Sequence, residues 1–241
     1  MVERFDGIVL RTKKYSDTLM IADIYTRTHG RLSFLVPVSR SRNSKVRSVL
    51  FQPLSMLTFM ASYKKGKQLS RISDVQPYSM YSTIPYDPVK SSIALFLAEL
   101  LTYSLREEVD DEALFNFLDR SFSLFDSLET GYSDFHLLFM SQFLHYLGVY
   151  PNLEENTPHC YFDLVQGTVV REHPIHKGFL MPQDAQPFIS ILQTGYESMH
   201  TLSLNRGLRG KYLTILLTYY RLHVPDFPQL KSLDVLKELY D

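Results

Sequence analysis

The order of apolar and charged residues in this 241-residue sequence points to an α+β protein of two domains, a small five-stranded β-barrel followed by an all-helical domain with an irregular insert. Two observations carry that expectation. Near residue 86 the spacing of apolar residues changes from a period of two to a period of about 3.6. The charge reverses at nearly the same place. Residues 1–80 hold 14 Lys and Arg against 5 Asp and Glu, a net +9, and residues 81–241 hold 11 against 21, a net −10, so the whole chain is left at only −1. A basic domain at 1–80 joined to an acidic one at 81–241 suggests that the first meets a polyanion and the second does something else.

The strands come first. In "GIVLRTK" Ile8, Leu10 and Thr12 alternate with Val9, Arg11 and Lys13, the pattern of a strand with two faces. "TLMIADIYTRT" is rich in β-branched and aromatic residues, and "HGRLSFLVP" follows it with Leu32, Phe34 and Val36 on one face, so His29-Gly30 reads as a tight hairpin turn. "QPLSMLTFMAS" and "KQLSRISDV" supply two more strands around a basic turn, "YKKGK". Five short strands within about 75 residues are the count of a small barrel such as the OB-fold, although propensity alone also allows a five-stranded sandwich.

The helices follow. Ile93, Phe96, Leu97, Leu100, Leu101 and Leu105 mark the first, preceded by Pro85 and Pro88. Leu114, Phe117, Leu118, Ser121, Phe122, Phe125 and Leu128 mark the second, with Asp110 and Asp111 near its positive end. Phe135, Leu138, Phe139, Phe143, Tyr146 and Leu147 mark the third, which Gly148 and Pro151 stop. Residues 150–187 lose the period and read as turns with one hairpin, "CYFDLVQGTVV". A fourth helix carries Phe188, Leu192, Tyr196 and Met199, and a fifth carries Leu213, Leu216, Leu217 and Tyr220 up to Pro225. A short last helix begins after Pro228.

Several classes are excluded by composition. With 45% hydrophobic, 21% charged and 13% aromatic residues the chain has ample apolar surface to offset the entropy of ordering, so it is not a disordered protein. The longest apolar candidate, "SSIALFLAELLTYSL", is broken by Glu99 and is too short to span a bilayer, and the charged start "MVERFDGIVLRTKKY" lacks the apolar core of a signal peptide. A cytoplasmic location and no membrane partner are expected. The single cysteine, Cys160, cannot form an internal disulfide and fits a reducing compartment. There is no P-loop, GxSxG, HExxH or GxGxxG, so no enzyme activity and no cofactor are expected. The acidic run Glu107, Glu108, Asp110, Asp111, Glu112 reads as a solvated loop and helix cap rather than a metal site, because consecutive carboxylates point in different directions.

The candidate binding residues are basic. Arg40, Arg42, Lys45 and Arg47 fall within eight positions of "VPVSRSRNSKVRSVLFQP". Arg11, Lys13 and Lys14 on the first strand, Arg27 and Arg31 around the hairpin, and Lys64, Lys65 and Lys67 in "YKKGK" extend the patch. Arginine forks chelate phosphate oxygens and lysines act as point charges, so the set suits a nucleic-acid backbone read without regard to base. Tyr15, Tyr25 and Tyr63 are the aromatic candidates for base stacking. A competing reading is a protein-interaction adaptor whose basic barrel binds RNA or an acidic protein.

The pieces "GIVLRTKKYSDTLMIADIYTRTHGRLSFLVPVSRSR", "LFQPLSML", "LTYSLREEVDDEALFNFLDRSF", "FLHYLGVYPNLE" and "LKSLDVL" stand in an order that resembles the bacterial recombination mediator RecO family along nearly the whole chain. The resemblance implies an N-terminal OB-fold, a helical C-terminal domain, and binding and annealing of single-stranded DNA in a bacterial, nucleoid-associated setting, with duplex DNA as a further ligand. It also implies help in loading RecA onto strands coated by single-stranded-DNA-binding protein, with RecR as partner and RecA engaged indirectly. The family further suggests a pocket for the acidic, aromatic-ended tail of single-stranded-DNA-binding protein. The residues here that suit such a tail are Arg120 among Phe117, Phe122 and Phe125, and the cluster Arg206, Arg209 and Lys211 at the start of the fifth helix. Two features depart from the family. The basic segment opens with "VPVSRSR" instead of a Gly-containing turn, and the central insert has only Cys160, beside His159, His173 and His176, where many members carry two CxxC pairs for zinc. No metal is expected.

Overall fold

The structure, a computed structural model, describes residues 2–38, 48–63, 69–105, 111–154, 157–202 and 204–238. In chain order these form β1 (Val2–Lys14), β2 (Leu19–Thr26), β3 (Gly30–Pro37), β4 (Met56–Ser62), β5 (Ser70–Ser79), α1 (Pro88–Ser104), α2 (Glu112–Ser127) and α3 (Phe135–Tyr146). Next come the short strands β6 (Tyr161–Asp163), β7 (Thr168–Val170) and β8 (Phe179–Leu180), and the helices α4 (Pro182–Gln193), α5 (Arg206–His223) and α6 (Ser232–Glu238). The chain forms two compact units, one of Met1–Ser127 with Leu230–Leu239 and one of Leu128–Gln229 with Tyr240–Asp241. The first holds β1–β5 with α1, α2 and α6, and the second holds α3–α5 and the three short strands.

In the first unit the five strands close on themselves in the order β1-β2-β3-β5-β4, so the barrel rather than the sandwich is realised. The thirteen-residue β1 pairs with β4 through Val2–Ile8 and with β2 through Gly7–Lys14, and two parallel partners, Phe34 with Ser70 and Leu35 with Arg71, close the ring between β3 and β5. Inside, Phe5 stacks on Phe59 at 5.4 Å and meets Phe34 edge-on at 5.6 Å. Burying rings of this size contributes about 1.5–3 kcal/mol each. Gly7 is required where β1 crosses β2, because a Cβ there would meet the Ile24 Cγ2 at 2.5 Å. Gly30, at φ 62°, makes the tight turn expected at His29-Gly30.

The simple alternation expected for β1 fails at one point. Val9 pairs with Ile24 and Arg11 with Asp23, leaving Leu10 as the extra residue of a bulge. The bulge inverts the faces: Val9 points into the barrel core, whereas Arg11 and Lys13, which share its parity in sequence, lie on the outer face beside Asp23 and Ile21. Ile8 and its partner Tyr25 are on the outer face and yet buried, because α1 packs on β1 and Phe115 of α2 stacks on Tyr25 at 6.3 Å.

The helices of this unit begin where side chains satisfy their free N–H groups. Asp87 accepts from the Val89 and Lys90 amides ahead of α1, with Pro88 as its first residue, and Asp111 accepts from the Leu114 amide ahead of α2. Glu99 on α1 accepts from the Lys231 and Ser232 amides and so caps α6. The connection into α1 is held by Asp126, which accepts from the amides of Ser82, Thr83 and Ile84. Burial opposes the charge of Asp126, but those amides and the Ser82 hydroxyl outweigh it and hold the pKa at about 2. Lys90, only 1% exposed, donates to the Thr83 hydroxyl and the Asp126 carbonyl.

In the second unit α3 is buried nearly all round, with α4 and α5 packed on it, and the Tyr220 hydroxyl of α5 donates to the Met140 carbonyl of α3. The expected hairpin in the insert is present as β6 and β7, and β8 completes a three-stranded sheet in the order β7-β6-β8, so the region after residue 80 is not wholly helical. The fourth helix is shorter than expected. It ends at Gln193, and Tyr196 and Met199 lie instead in a separate 3-10 segment, Tyr196–Thr201, after an extended Gly195.

Candidate nucleic-acid interface

Cross-strand partners share a face, so the register of the barrel fixes which side chains meet outside it. One row crosses Lys13, Ile21, Leu35 and Arg71, and the next crosses Arg11, Asp23 and Ser33. Together with Leu69 these rows border a cleft of about 410 Å³ lined by Arg11, Lys13, Ile21, Asp23, Ser33 and Leu69. Its floor is apolar, from half-buried Ile21 and Leu69, and its wall on β1 is cationic. The Arg11 side chain is 53% exposed with its Nε 2.6 Å from the Asp23 Oδ2. Lys13 and Lys14 are exposed, and Lys14 pairs with Asp17 in the open, a contact worth little to stability. Burial works against ionised Asp23, yet hydrogen bonds from Ser33, Arg11 and Arg31 prevail and keep its carboxyl below the ordinary range.

Arg40, Arg42, Lys45, Arg47, Lys64, Lys65 and Lys67 lie outside the described residues. Of the described residues nearest to them, Leu69 lines the cleft, and the Val38 amide donates to the Thr18 carbonyl in the connection between β1 and β2.

Arg27 and Arg31 are placed differently from the expectation that they extend this patch. Arg31 is 16% exposed; its Nη1 donates to the carbonyls of Thr102 at 2.6 Å and Leu105 at 3.0 Å, and its Nη2 to Asp23 at 2.8 Å. It therefore satisfies the carbonyl end of α1. Arg27, 25% exposed, donates to the Asn116 side chain at 2.8 Å and lies 4.2 Å above the Phe115 ring. Both guanidinium groups are committed to α1 and α2 inside the unit. Of the three tyrosines considered for stacking, Tyr15 is exposed, Tyr25 is buried under Phe115, and Tyr63 is half-buried against His29 at 4.1 Å.

The residues considered for a partner's tail also separate. Arg120 is exposed and Phe117 half-buried, but Phe122 and Phe125 are fully buried and line no open pocket. At the start of α5 the cations were expected to call for a bound anion; carboxylates supply the counter-charge instead. Arg209 donates to Asp134 at 2.6 Å and to the Leu204 carbonyl, Lys211 pairs with Asp184, and Asn205 caps the Leu208 amide, while Arg206 is exposed. In the insert, Cys160 is buried and accepts from the Gln186 side chain, and His176 accepts from the Gly178 amide at Nδ1 and donates from Nε2 to Asp163 at 3.0 Å. Among the described residues no three His, Cys, Asp or Glu side chains gather as metal ligands.

Sequence reasoning did not single out Asp23, Phe115 or the apolar cleft floor. Asp23 could have been noticed as a lone carboxylate inside the apolar run "MIADIY" of a basic domain. Among the described residues no helix is long and apolar enough to cross a membrane.

The fold and this surface define a class: an OB-like barrel, cationic along one open side, followed by a helical region. The chain belongs to the recombination protein O (RecO) family. Residues 1–81 match the family model described as Recombination protein O N terminal, and residues 85–234 that described as Recombination protein O C terminal. It is similar to the DNA repair protein RecO of Phocaeicola vulgatus, with 48% identity over 240 residues and 100% of each chain covered. It also resembles those of Bacteroides fragilis, at 44% over 242 residues with 100% of each covered, and Porphyromonas gingivalis, at 33% over 239 residues with 98% of each covered. Membership of this family supports a role in DNA repair and recombination.

Proposed function

We infer that the protein binds single-stranded DNA along the cleft side of its barrel, anneals complementary strands, and helps load recombinase onto strands coated by single-stranded-DNA-binding protein. The observation that carries this reading is the open cationic wall of Arg11 and Lys13 beside an apolar floor, within a domain of net charge +9. Cations neutralise phosphates and release counterions, which lets two strands approach without nucleotide hydrolysis. Half-buried Ile21, Leu35 and Leu69 offer contact to base faces, which a duplex hides and a single strand exposes. Duplex DNA would engage the cations alone and bind more weakly.

In this reading residues 1–80 are the nucleic-acid-binding domain and residues 81–241 the partner-binding one, with the insert at about 150–187. The protein performs no bond-making chemistry of its own and acts in the bacterial cytoplasm at the nucleoid. RecR and the tail of single-stranded-DNA-binding protein are its partners, and RecA is reached through them. Exposed Arg120 beside Phe117 suits an acidic tail better than Arg209 and Lys211, which already hold carboxylates. The test is annealing of complementary oligonucleotides coated with single-stranded-DNA-binding protein. The unaltered chain should speed pairing over the protein-free control, and an unchanged rate would refute the reading.

A further inference from the structure

The row Arg11, Asp23, Ser33 puts a carboxylate in the middle of a surface assigned to a polyanion. By charge alone Asp23 should repel phosphate, so its presence there calls for a compensating role. Its surroundings are specific. The side chain is 6% exposed; Oδ1 accepts from the Ser33 hydroxyl, and Oδ2 accepts from Arg11 Nε at 2.6 Å and Arg31 Nη2 at 2.8 Å. Arg31 is itself fixed by the Thr102 and Leu105 carbonyls, so Asp23 is held from β3 and from the end of α1 at once.

Arg11 is then gripped at Nε alone. Among the described residues its two terminal nitrogens meet no acceptor, and the side chain is half exposed on the cleft wall. A guanidinium is planar, so holding Nε fixes the plane in which the remaining donors point. A long exposed arginine otherwise loses rotamer freedom when it closes on a phosphate, and here much of that loss has been met in folding. We propose that Asp23 is a positioning residue, which aims the terminal nitrogens of Arg11 at a phosphate of a strand lying in the cleft. The proposal rests on the single-strand-binding reading and adds to it how one contact is prepared.

The two roles open to Asp23 predict opposite signs. If it acts only as a negative charge, Asp23→Asn tightens binding of an oligodeoxythymidylate at fixed salt. If it positions Arg11, the same change weakens binding by about three- to tenfold although a negative charge has been removed. In an Arg11→Ala background the weakening should vanish. The Arg11 Nε–H resonance, protected from solvent exchange in the unaltered full chain, should lose that protection in Asp23→Asn. Arg11→Lys leaves Asp23 in place and retains the charge but not the fork, and should also weaken binding with an unchanged salt slope; it decides the matter if Asp23→Asn does not fold. Equal or tighter binding by Asp23→Asn, equal weakening in both backgrounds, or full affinity in Arg11→Lys would overturn the proposal alone. Failure of the unaltered chain to bind the oligonucleotide at low salt would remove the binding reading and the proposal together.

Discussion

Along the outer face of β1, β2 and β3 the same residue types serve two ends. In the rows of Lys13 and Arg11 the cations stand in solvent over an apolar floor. One row further, Arg31 and Tyr25 pair across β2 and β3 and lie beneath the helices, with Arg27 close by over Phe115. Asp23 sits between the two regions and touches both Arg11 and Arg31. The difference shows that a basic residue in this domain is assigned its role by what lies within reach of its donors. Where carbonyls and ring faces meet the donors the cation is structural, and where donors stay open, as the terminal nitrogens of Arg11 do, its charge is left for a ligand. The energies differ accordingly: breaking a buried, hydrogen-bonded pair costs about 3–5 kcal/mol, whereas exposed pairs contribute roughly 0–1 kcal/mol.

Removing Arg31 should have the largest effect on folding. Arg31→Ala removes one of the three donors to Asp23 and the guanidinium that bonds the Thr102 and Leu105 carbonyls, and should lower the unfolding free energy by about 3 kcal/mol in urea titration. A midpoint equal to that of the unaltered chain would mean that Arg31 is not structural and would return it to the binding surface.

Next comes Asp126, another satisfied charge on the helical side. Its folded pKa, about 2, lies below the ordinary carboxylate value, so its contribution is fully present above about pH 4 and is lost as pH falls through about 2. The contribution amounts to about 2 kcal/mol. Asp126→Asn should therefore be less stable than the unaltered chain by that amount at pH 7, and the gap should narrow as pH falls from 4 to 2. A gap independent of pH would assign the loss to packing.

Arg27→Ala should cost less, about 1.5 kcal/mol, for the hydrogen bond to Asn116, the longer contacts with the Tyr78 hydroxyl and Asp119, and the face of the Phe115 ring. Arg27→Lys should recover only part of it, since a lysine keeps the charge but not the planar contact. Full recovery would show that charge, and not geometry, holds α2 at this point.

The strands and turns were legible because their signals are local. Leu32, Phe34 and Val36 alternate without interruption, His29-Gly30 supplies the positive φ, and Asp87-Pro88 and Asp111 sit at the starts of α1 and α2. The bulge in β1 was not legible, because "GIVLRTK" continues to alternate in sequence while the register shifts beneath it. The fates of Arg27 and Arg31 were hidden for a related reason: the Asn116, Thr102 and Leu105 oxygens that accept from them lie 71 to 89 residues away, and only the closed barrel and its helices bring them together. The charge excess was legible as a basic first domain, but the division between open and committed cations belongs to tertiary structure.

The separation of binding and structural cations is tested by the salt dependence of single-strand affinity, measured on one oligodeoxythymidylate for three full-length variants. Arg11→Ala, Lys13→Ala, Lys14→Ala together should flatten the slope of log K against log salt by about two units, at about 0.7 per phosphate contact. Arg40→Ala, Arg42→Ala, Lys45→Ala, Arg47→Ala together should flatten it by about three units. Arg27→Ala, which removes a cation of the same domain, should leave the slope unchanged under conditions where the chain stays folded. A slope that falls equally per charge in all three would contradict the division, as would a slope that the first variant leaves intact.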